Sequence, residues 1–189
     1  MEKLNPKDAV GAVLMKGNNP EEACDTRGYY KVVCRGADGA VKWEDEIHNV
    51  VATVGKNLAL DTILAGSAYT VVGPFMGLKG TGSAVAGDTM ASHAAWLEVG
   101  GANAPTYTSP RKTITFSAAA AGVKASTGTY TFAMTGSGTV AGCFMVFGSG
   151  AVSTIDSTAG TLLSAGDFTG GSKTVANGDS LTVTWQLTL

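Results

Sequence analysis

Residues 180–189 read SLTVTWQLTL, and this stretch decides the fold. Every second position is apolar: Leu181, Val183, Trp185, Leu187 and Leu189. The positions between them carry threonine or glutamine. Because side chains two residues apart lie on one face of a β-strand, the stretch predicts a strand with one apolar and one polar face. A second layer of structure is needed to cover the apolar face.

The sequence upstream of this strand continues in the same manner from about residue 107. Tyr130, Phe132 and Met134 alternate with small or polar residues, and residues 140–148 (VAGCFMVFG) are apolar on both faces. An apolar run of this length predicts a central strand that is buried on both sides. About seven or eight short strands separated by turns are typical of a β-sandwich or a jelly roll.

Residues 28–47 predict a β-hairpin. Alternating apolar residues on both arms flank the turn Ala37-Asp38-Gly39. Trp43 is expected to cover the core, while Glu44, Asp45 and Glu46 form an acidic rim. Consecutive residues of a strand point to opposite faces, so these carboxylates are expected to be a solvated edge rather than a cation site.

The periodicity changes in residues 48–66, where one short α-helix is predicted at about 56–65. Leu58, Ile63 and Leu64 recur at helical spacing, with Leu60 or Ala65 beside them. This apolar stripe is expected to pack on a sheet, next to Trp43 or Trp185.

Charged residues make up only 15% of the chain, against roughly 25% in an average soluble protein. Residues 1–61 hold 18 charged residues and residues 62–189 hold 10. So little charge favours a protein that packs against copies of itself or a partner. The alternative is a β-sandwich rich in threonine and serine, whose polar faces need no charge.

The net charge, the lack of a long apolar segment and the N-terminal sequence argue against several classes of protein. The net charge is −2 and no basic stripe is present, so no nucleic-acid partner is expected. We find no apolar segment of the length that spans a bilayer, so no membrane partner is expected. The N-terminus, MEKLNPKDAV, lacks an apolar core after its basic residues, which predicts synthesis in the cytoplasm. Cys24, Cys34 and Cys143 are odd in number without CxxC spacing, so free thiols are expected.

Residues 1–27 are polar and almost without periodicity, and they contain Pro6 and Pro20. We interpret them as an extended N-terminal arm that a partner orders, with an unstructured terminus as the alternative. The predicted organisation is therefore an arm, residues 1–27, and a β-sandwich domain, residues 28–189.

Candidates for catalysis are few. His48 and His93 are the two histidines, and the chain has no GxSxG motif. His48 is expected to cap or hydrogen-bond at the junction between the hairpin and the helix, and His93 is expected in a loop. Residues 77–82 (GLKGTG) lack the GxxxxGK[ST] spacing of a phosphate-binding loop. We therefore predict a protein that is not an enzyme, without catalytic, cofactor-binding or metal-binding residues, and keep an enzyme that uses His48 or His93 as an alternative.

The order of these motifs resembles a family of small virion proteins of tailed bacteriophages that are encoded among the head genes. The resemblance covers residues 28–189. The matching features are the hairpin with its Trp43, HNVVATVGKNLALDTILAG (48–66), GLKGTG (77–82), Asp88-Thr89-Met90, Trp96-Leu97-Glu98, Tyr107, Arg111 and the C-terminal strand after Gly178-Asp179. Within the pattern N-x-V-T-x-x-G-x-N-x-L-L-D, Ala59 stands where the family has the first leucine of the pair.

The resemblance implies a capsid decoration, or cement, protein with a β-sandwich or jelly-roll body and no enzymatic activity. It implies a homo-oligomer on the capsid surface of the virion that bridges and stabilises subunits of the major capsid protein. The arm would lie across neighbouring capsid subunits. The alternative from the same virion is a tail or fibre component, either structural or glycan-binding.

Overall fold

The computed structural model describes residues 27–64 and 72–188, which form a mainly β fold with one short helix, as predicted. The helix is α1 (Thr53–Leu64). The strands are β1 (Arg27–Arg35), β2 (Val41–Val51), β3 (Phe75–Lys79), β4 (Glu98–Val99), β5 (Lys112–Thr113), β6 (Val123–Ala125), β7 (Tyr130–Ala133), β8 (Gly138–Val140), β9 (Gly142–Phe147), β10 (Thr161–Asp167), β11 (Lys173–Val175) and β12 (Ser180–Thr188). Apart from Arg27, the predicted arm lies outside the described residues.

The predicted hairpin is confirmed as β1 and β2, which pair antiparallel along almost their whole length. The turn between them closes through a hydrogen bond from the amide of Gly39 to the carbonyl of Gly36. Gly39 has a φ of 82°, which a residue without a Cβ adopts at little cost. The Asp38 carboxylate accepts the amide of Ala40, so the side chain also fixes the turn.

The C-terminal strand β12 lies in the interior of the sheet, with β1 on one side and β6 and β7 on the other. Leu181, Val183 and Trp185 are buried, whereas the threonines and glutamine between them are partly exposed. The predicted alternation is therefore confirmed. These strands, together with β2, form what we call the first layer.

The last residues of β2 also pair with β10, and from there the sheet continues through β9 and β3 to β4, with β5 also on β3. We call β10, β9, β3, β4 and β5 the second layer. The prediction of a strand buried on both sides is confirmed by β9. Its Cys143 and Met145 face the first layer, and Phe144 and Val146 face away from it.

One cluster of buried side chains takes residues from both layers and forms the main core. Its members include Tyr30, Val32, Ile47, Met76, Leu78, Phe132, Cys143, Met145, Leu181, Val183 and Trp185. A second cluster lies on the far side of the second layer. It contains Met90, Trp96, Phe144, Val146 and Leu162, and is covered in part by residues 80–97. The second layer is therefore apolar on both faces, while the first layer presents one face to solvent.

The helix α1 packs on β10. Its Gly55 approaches the backbone so closely that a Cβ there would lie 2.9 Å from the carbonyl oxygen of Leu163. The expectation that the helix packs next to Trp43 or Trp185 is wrong, because both tryptophans belong to the core between the layers and α1 lies on the opposite side of the second layer. Leu60 is 53% exposed. The side chains of residues 63 and 64, and residue 65, lie outside the described part.

Candidate functional site

Three polar anchors hold the loops of the second layer in place. The first joins Lys79 of β3 to Asp167 of β10, which form an ion pair. The two strands are not neighbours, but both residues stand opposite Gly142 of the intervening β9. Because Gly142 has no side chain, the lysine and the aspartate meet across it. The Lys79 ammonium, whose side chain is fully buried, also donates to the carbonyl of Gly82, and the amide of Ala84 donates to the Asp167 carboxylate.

The second anchor is the hydrogen bond from Trp96 Nε1 to the Asp88 carboxylate, at 2.9 Å. The same carboxylate oxygen accepts the amide of Val85. His93 stacks on the Trp96 ring, with 4.1 Å between the ring centroids, and its Nδ1 lies 2.9 Å from the Trp96 carbonyl oxygen. His93 is thus in a loop, as expected, and its contacts fix that loop on the second cluster.

The third anchor is a bidentate ion pair between Arg111 and Glu98. Arg111 Nε and Nη2 donate to the two carboxylate oxygens of Glu98 at 2.8 and 2.6 Å. The guanidinium also donates to the carbonyls of Val152 and Ser157, and Glu98 accepts the amide of Asp156. Arg111 is 1% exposed and Glu98 6%. The pair therefore joins the end of β4 to residues 152–157, far along the chain.

The structure places the two histidines in different settings, His48 on a strand and His93 in a loop. The capping role expected for His48 is wrong, because the residue is exposed on β2 opposite Tyr29 and five positions before α1 begins. Among the described residues, neither imidazole contacts a carboxylate or a serine hydroxyl. Across residues 27–64 and 72–188 no three His, Cys, Asp or Glu side chains are grouped so as to hold a metal ion. No helix in this part of the chain is long and apolar enough to cross a membrane.

The acidic rim divides between two sides of β2. Glu44 and Glu46 are exposed, whereas Asp45 lies on the other side and pairs with Lys173 at 3.0 Å. The amide of Thr169 also donates to Asp45. Asp45 thus points away from Glu44 and Glu46, which share one face of β2, as the strand geometry predicts. The expectation of a solvated edge holds for the two glutamates and is wrong for Asp45, whose side chain is 8% exposed and paired.

Cys34 and Cys143 are free and fully buried. Burial raises the pKa of the Cys34 thiol to about 11, and the nearby Asp179 carboxylate acts in the same direction. Burial also raises the pKa of Cys143. Both thiols therefore remain protonated and unreactive at neutral pH. Cys24 lies outside the described residues.

A cleft of about 720 Å³ opens beside β4. Its walls carry no charged side chain and include Gly80, Thr81, Trp96, Leu97, Asn103 and Thr139. Leu97 is 58% exposed. Thr81, Asn103 and Thr139 supply the polar groups of this lining, beside the apolar Trp96, Leu97 and Val99.

A flat polar surface lies on the solvent side of the first layer, which we call the outer face. On β1 it carries Lys31 and Arg35, and on β2 it carries Glu44 and Glu46. The polar side of β12 continues the same face with Thr182, Thr184 and Gln186. The Tyr29 hydroxyl donates to Gln186 at 2.7 Å, across the β1–β12 pair.

Comparison with known proteins adds nothing to this geometry, since no family model, curated protein or solved structure matches the chain. The sequence reasoning had named no site residues, and it missed the three anchors. The sequence feature that could have indicated them is the low number of charged residues after position 61. Lys79, Asp88, Glu98, Arg111 and Asp179 are five of the 10 charged residues in that part, and all five are buried. An isolated charge in a charge-poor sequence is therefore a candidate for a buried anchor.

Proposed function

We propose that this protein is a structural protein of a bacteriophage virion, a capsid decoration protein that bridges and stabilises subunits of the major capsid protein. The supporting observation is that half of the 10 charged residues after position 61 are buried. The surface formed by residues 62–189 therefore carries even less charge than their composition suggests. Such a surface can be covered by a neighbour without the large free-energy cost of desolvating ions.

The residues that carry the family resemblance also support the proposal. Asp88 and Trp96 bond to each other, and Glu98 and Arg111 form the buried pair. Asp179 stands before β12 and accepts hydrogen bonds from Lys42 and the amide of Ala176. The pattern therefore consists of residues that fix loops and strands, which suits a family whose members share a scaffold and act by holding neighbours.

In this proposal the protein binds at the capsid surface as a homo-oligomer, and residues 1–27 reach across adjacent capsid subunits. An interface of ordinary size, about 800 Å² per partner, is sufficient when many copies act on one particle. Apart from Arg27, which begins β1, the arm lies outside the described residues, so its role is part of the proposal.

The test uses purified full-length protein and expanded empty capsids of the phage that encodes it. We expect the protein to co-sediment with the capsids and to raise their melting temperature in calorimetry. A variant that lacks residues 1–26 is expected to bind more weakly while its circular dichroism spectrum stays that of a folded β protein.

Absence of both co-sedimentation and a melting shift would refute the proposal, and immunogold labelling at the tail would then favour the tail or fibre alternative. A turnover that is lost when His48 and His93 are both changed to alanine would instead favour the enzyme.

A further inference from the structure

The pair formed by Lys79 and Asp167 differs from an ordinary surface ion pair in its burial. The Lys79 side chain is fully buried, and its ammonium contacts the Asp167 carboxylate directly. The ammonium also donates to the carbonyl of Gly82 and lies 5.7 Å from the centre of the Trp96 ring, which is itself buried. The nitrogen is therefore held against one carboxyl group, in a place where little water competes for it.

The chemistry of Lys79 also sets it apart from three other paired cations. Lys42 and Lys173 contact aspartates too, but their side chains are 37% and 23% exposed, so water can separate those pairs. Arg111 is as deeply buried, but a guanidinium stays protonated in proteins and does not act as a nucleophile. Lys79 thus combines full burial, a fixed carboxyl partner and an amine that can form an amide.

The strand geometry fits a covalent link between the two side chains. Lys79 and Asp167 both stand opposite Gly142, so their backbones are two strand spacings apart, about 10 Å. A lysine and an aspartate side chain joined end to end span this distance, and Gly142 has no side chain in the way. We propose that Lys79 Nζ and Asp167 Cγ form an intramolecular isopeptide bond, an amide that joins β3 to β10 across β9. The proposal does not depend on a role in the virion.

The reaction is a condensation that needs no cofactor. The proton first passes from the Lys79 ammonium to Oδ1 of Asp167, which leaves a neutral amine in contact with a neutral acid. Nζ then attacks Cγ to form the C–N bond, and the amide of Ala84, which donates to Oδ2, stabilises the negative charge that develops there. The bond from Cγ to Oδ1 breaks, and Oδ1 leaves as water. Of the three ammonium protons, two leave in this water and one stays on the amide nitrogen.

Proximity and burial favour the amide over the ion pair. Groups that one chain holds in reacting positions have effective concentrations that reach about 10⁵ M or more. The product also replaces a buried charge and its partner by a neutral amide, which removes the cost of keeping them from water. An opening of about 190 Å³ beside Asp167, lined also by Gly82 and Ser83, gives the released water a way out.

The experiment is mass spectrometry of the full-length wild-type protein under denaturing conditions. The bond removes one water, so we expect a mass about 18 Da below that of the same chain without it. Trypsin digestion of the denatured protein should leave the chain uncut after Lys79. It should release residues 57–111 and 125–173 as one linked species, because these are the tryptic peptides that contain Lys79 and Asp167. Fragmentation of this species should place the link on those two residues.

The matched variants are Lys79→Met, Asp167→Ala and Lys173→Met. The first two should restore the missing water and separate the two peptides, whereas Lys173→Met removes a lysine that pairs with Asp45 and should keep the link. A wild type with the full mass and normal cleavage after Lys79 would mean that the pair is only ionic and would overturn the proposal. A link that survives Lys79→Met, or that disappears in Lys173→Met, would overturn it as well. Each result is independent of whether the protein binds capsids.

Discussion

Replacing Arg111 with methionine should destabilise the protein more than almost any other single change to a charged residue. The substitution keeps a long side chain in the same space but removes the guanidinium. The Glu98 carboxylate then stays buried without the guanidinium and keeps the hydrogen bond from the amide of Asp156. The carbonyls of Val152 and Ser157 also lose the donor that now satisfies them.

The expected size follows from burial. Removing one partner of a buried ion pair costs about 3–5 kcal/mol, because the remaining charge is left uncompensated in a region with little water. In a chain of this length each kcal/mol lowers the melting temperature by about 2–4 °C, so Arg111→Met should lower it by about 6–20 °C. Adding Glu98→Leu removes the stranded charge. The double variant should therefore be less destabilised than the sum of the two single variants, by about 0.5–3 kcal/mol.

The measurement is urea unfolding followed by circular dichroism for the wild type, both single variants and the double variant. Lys56→Met serves as the control, since Lys56 is exposed on α1 and its replacement should change the free energy of unfolding by less than about 0.5 kcal/mol. If Arg111→Met costs less than about 1 kcal/mol, or if the two single effects simply add, the pair does not hold the loops in the way described.

Two further predictions concern acid stability and strand packing. Burial by itself would raise the pKa of Asp179, but hydrogen bonds from Lys42 and from a backbone amide outweigh it and hold the pKa below its usual value. Because its pKa is lowered, Asp179 contributes stability at any pH above the ordinary carboxyl pKa of about 4, and this contribution is lost as the pH falls through the folded-state pKa. The Asp179→Asn variant should therefore be less stable than the wild type at neutral pH and should lose less stability on acidification. Urea unfolding repeated across this pH range measures both effects. A methyl group at Gly142 would lie 1.8 Å from the Gly166 carbonyl oxygen, so Gly142→Ala should cost about 3 kcal/mol or more in the same assay, whereas Gly128→Ala, with nothing within 4 Å, should be nearly neutral.

The parts of the fold that the sequence predicted are those specified by neighbouring residues. The alternation in β12 and the turn around Gly39 each depend on a few consecutive positions. The continuous apolar run of β9 likewise predicted its burial on both sides. Strand periodicity and turn chemistry are local properties, so a single sequence is sufficient to read them.

The parts that were missed depend on residues that are distant in the chain. Lys79 and Asp167 are 88 positions apart, and nothing near either residue indicates the other. Their meeting requires the register of three strands and a glycine between them. The prediction that α1 packs next to Trp43 or Trp185 was wrong for a similar reason. Its apolar stripe is compatible with any apolar surface, and the close approach of Gly55 to β10 selects one.

The two parts of the chain use charge in different ways. After residue 61 half of the charged residues are buried and bind loops and strands together. The surface that remains is rich in glycine, serine and threonine, whose burial costs far less than that of an ion. On β1 and β2, Lys31, Arg35, Glu44 and Glu46 instead remain exposed, with Lys31 directly opposite Glu46. The buried pairs thus stabilise the fold itself, and the surface with little charge that they leave is one that a neighbour could cover at a small cost in desolvation, as the proposed function requires.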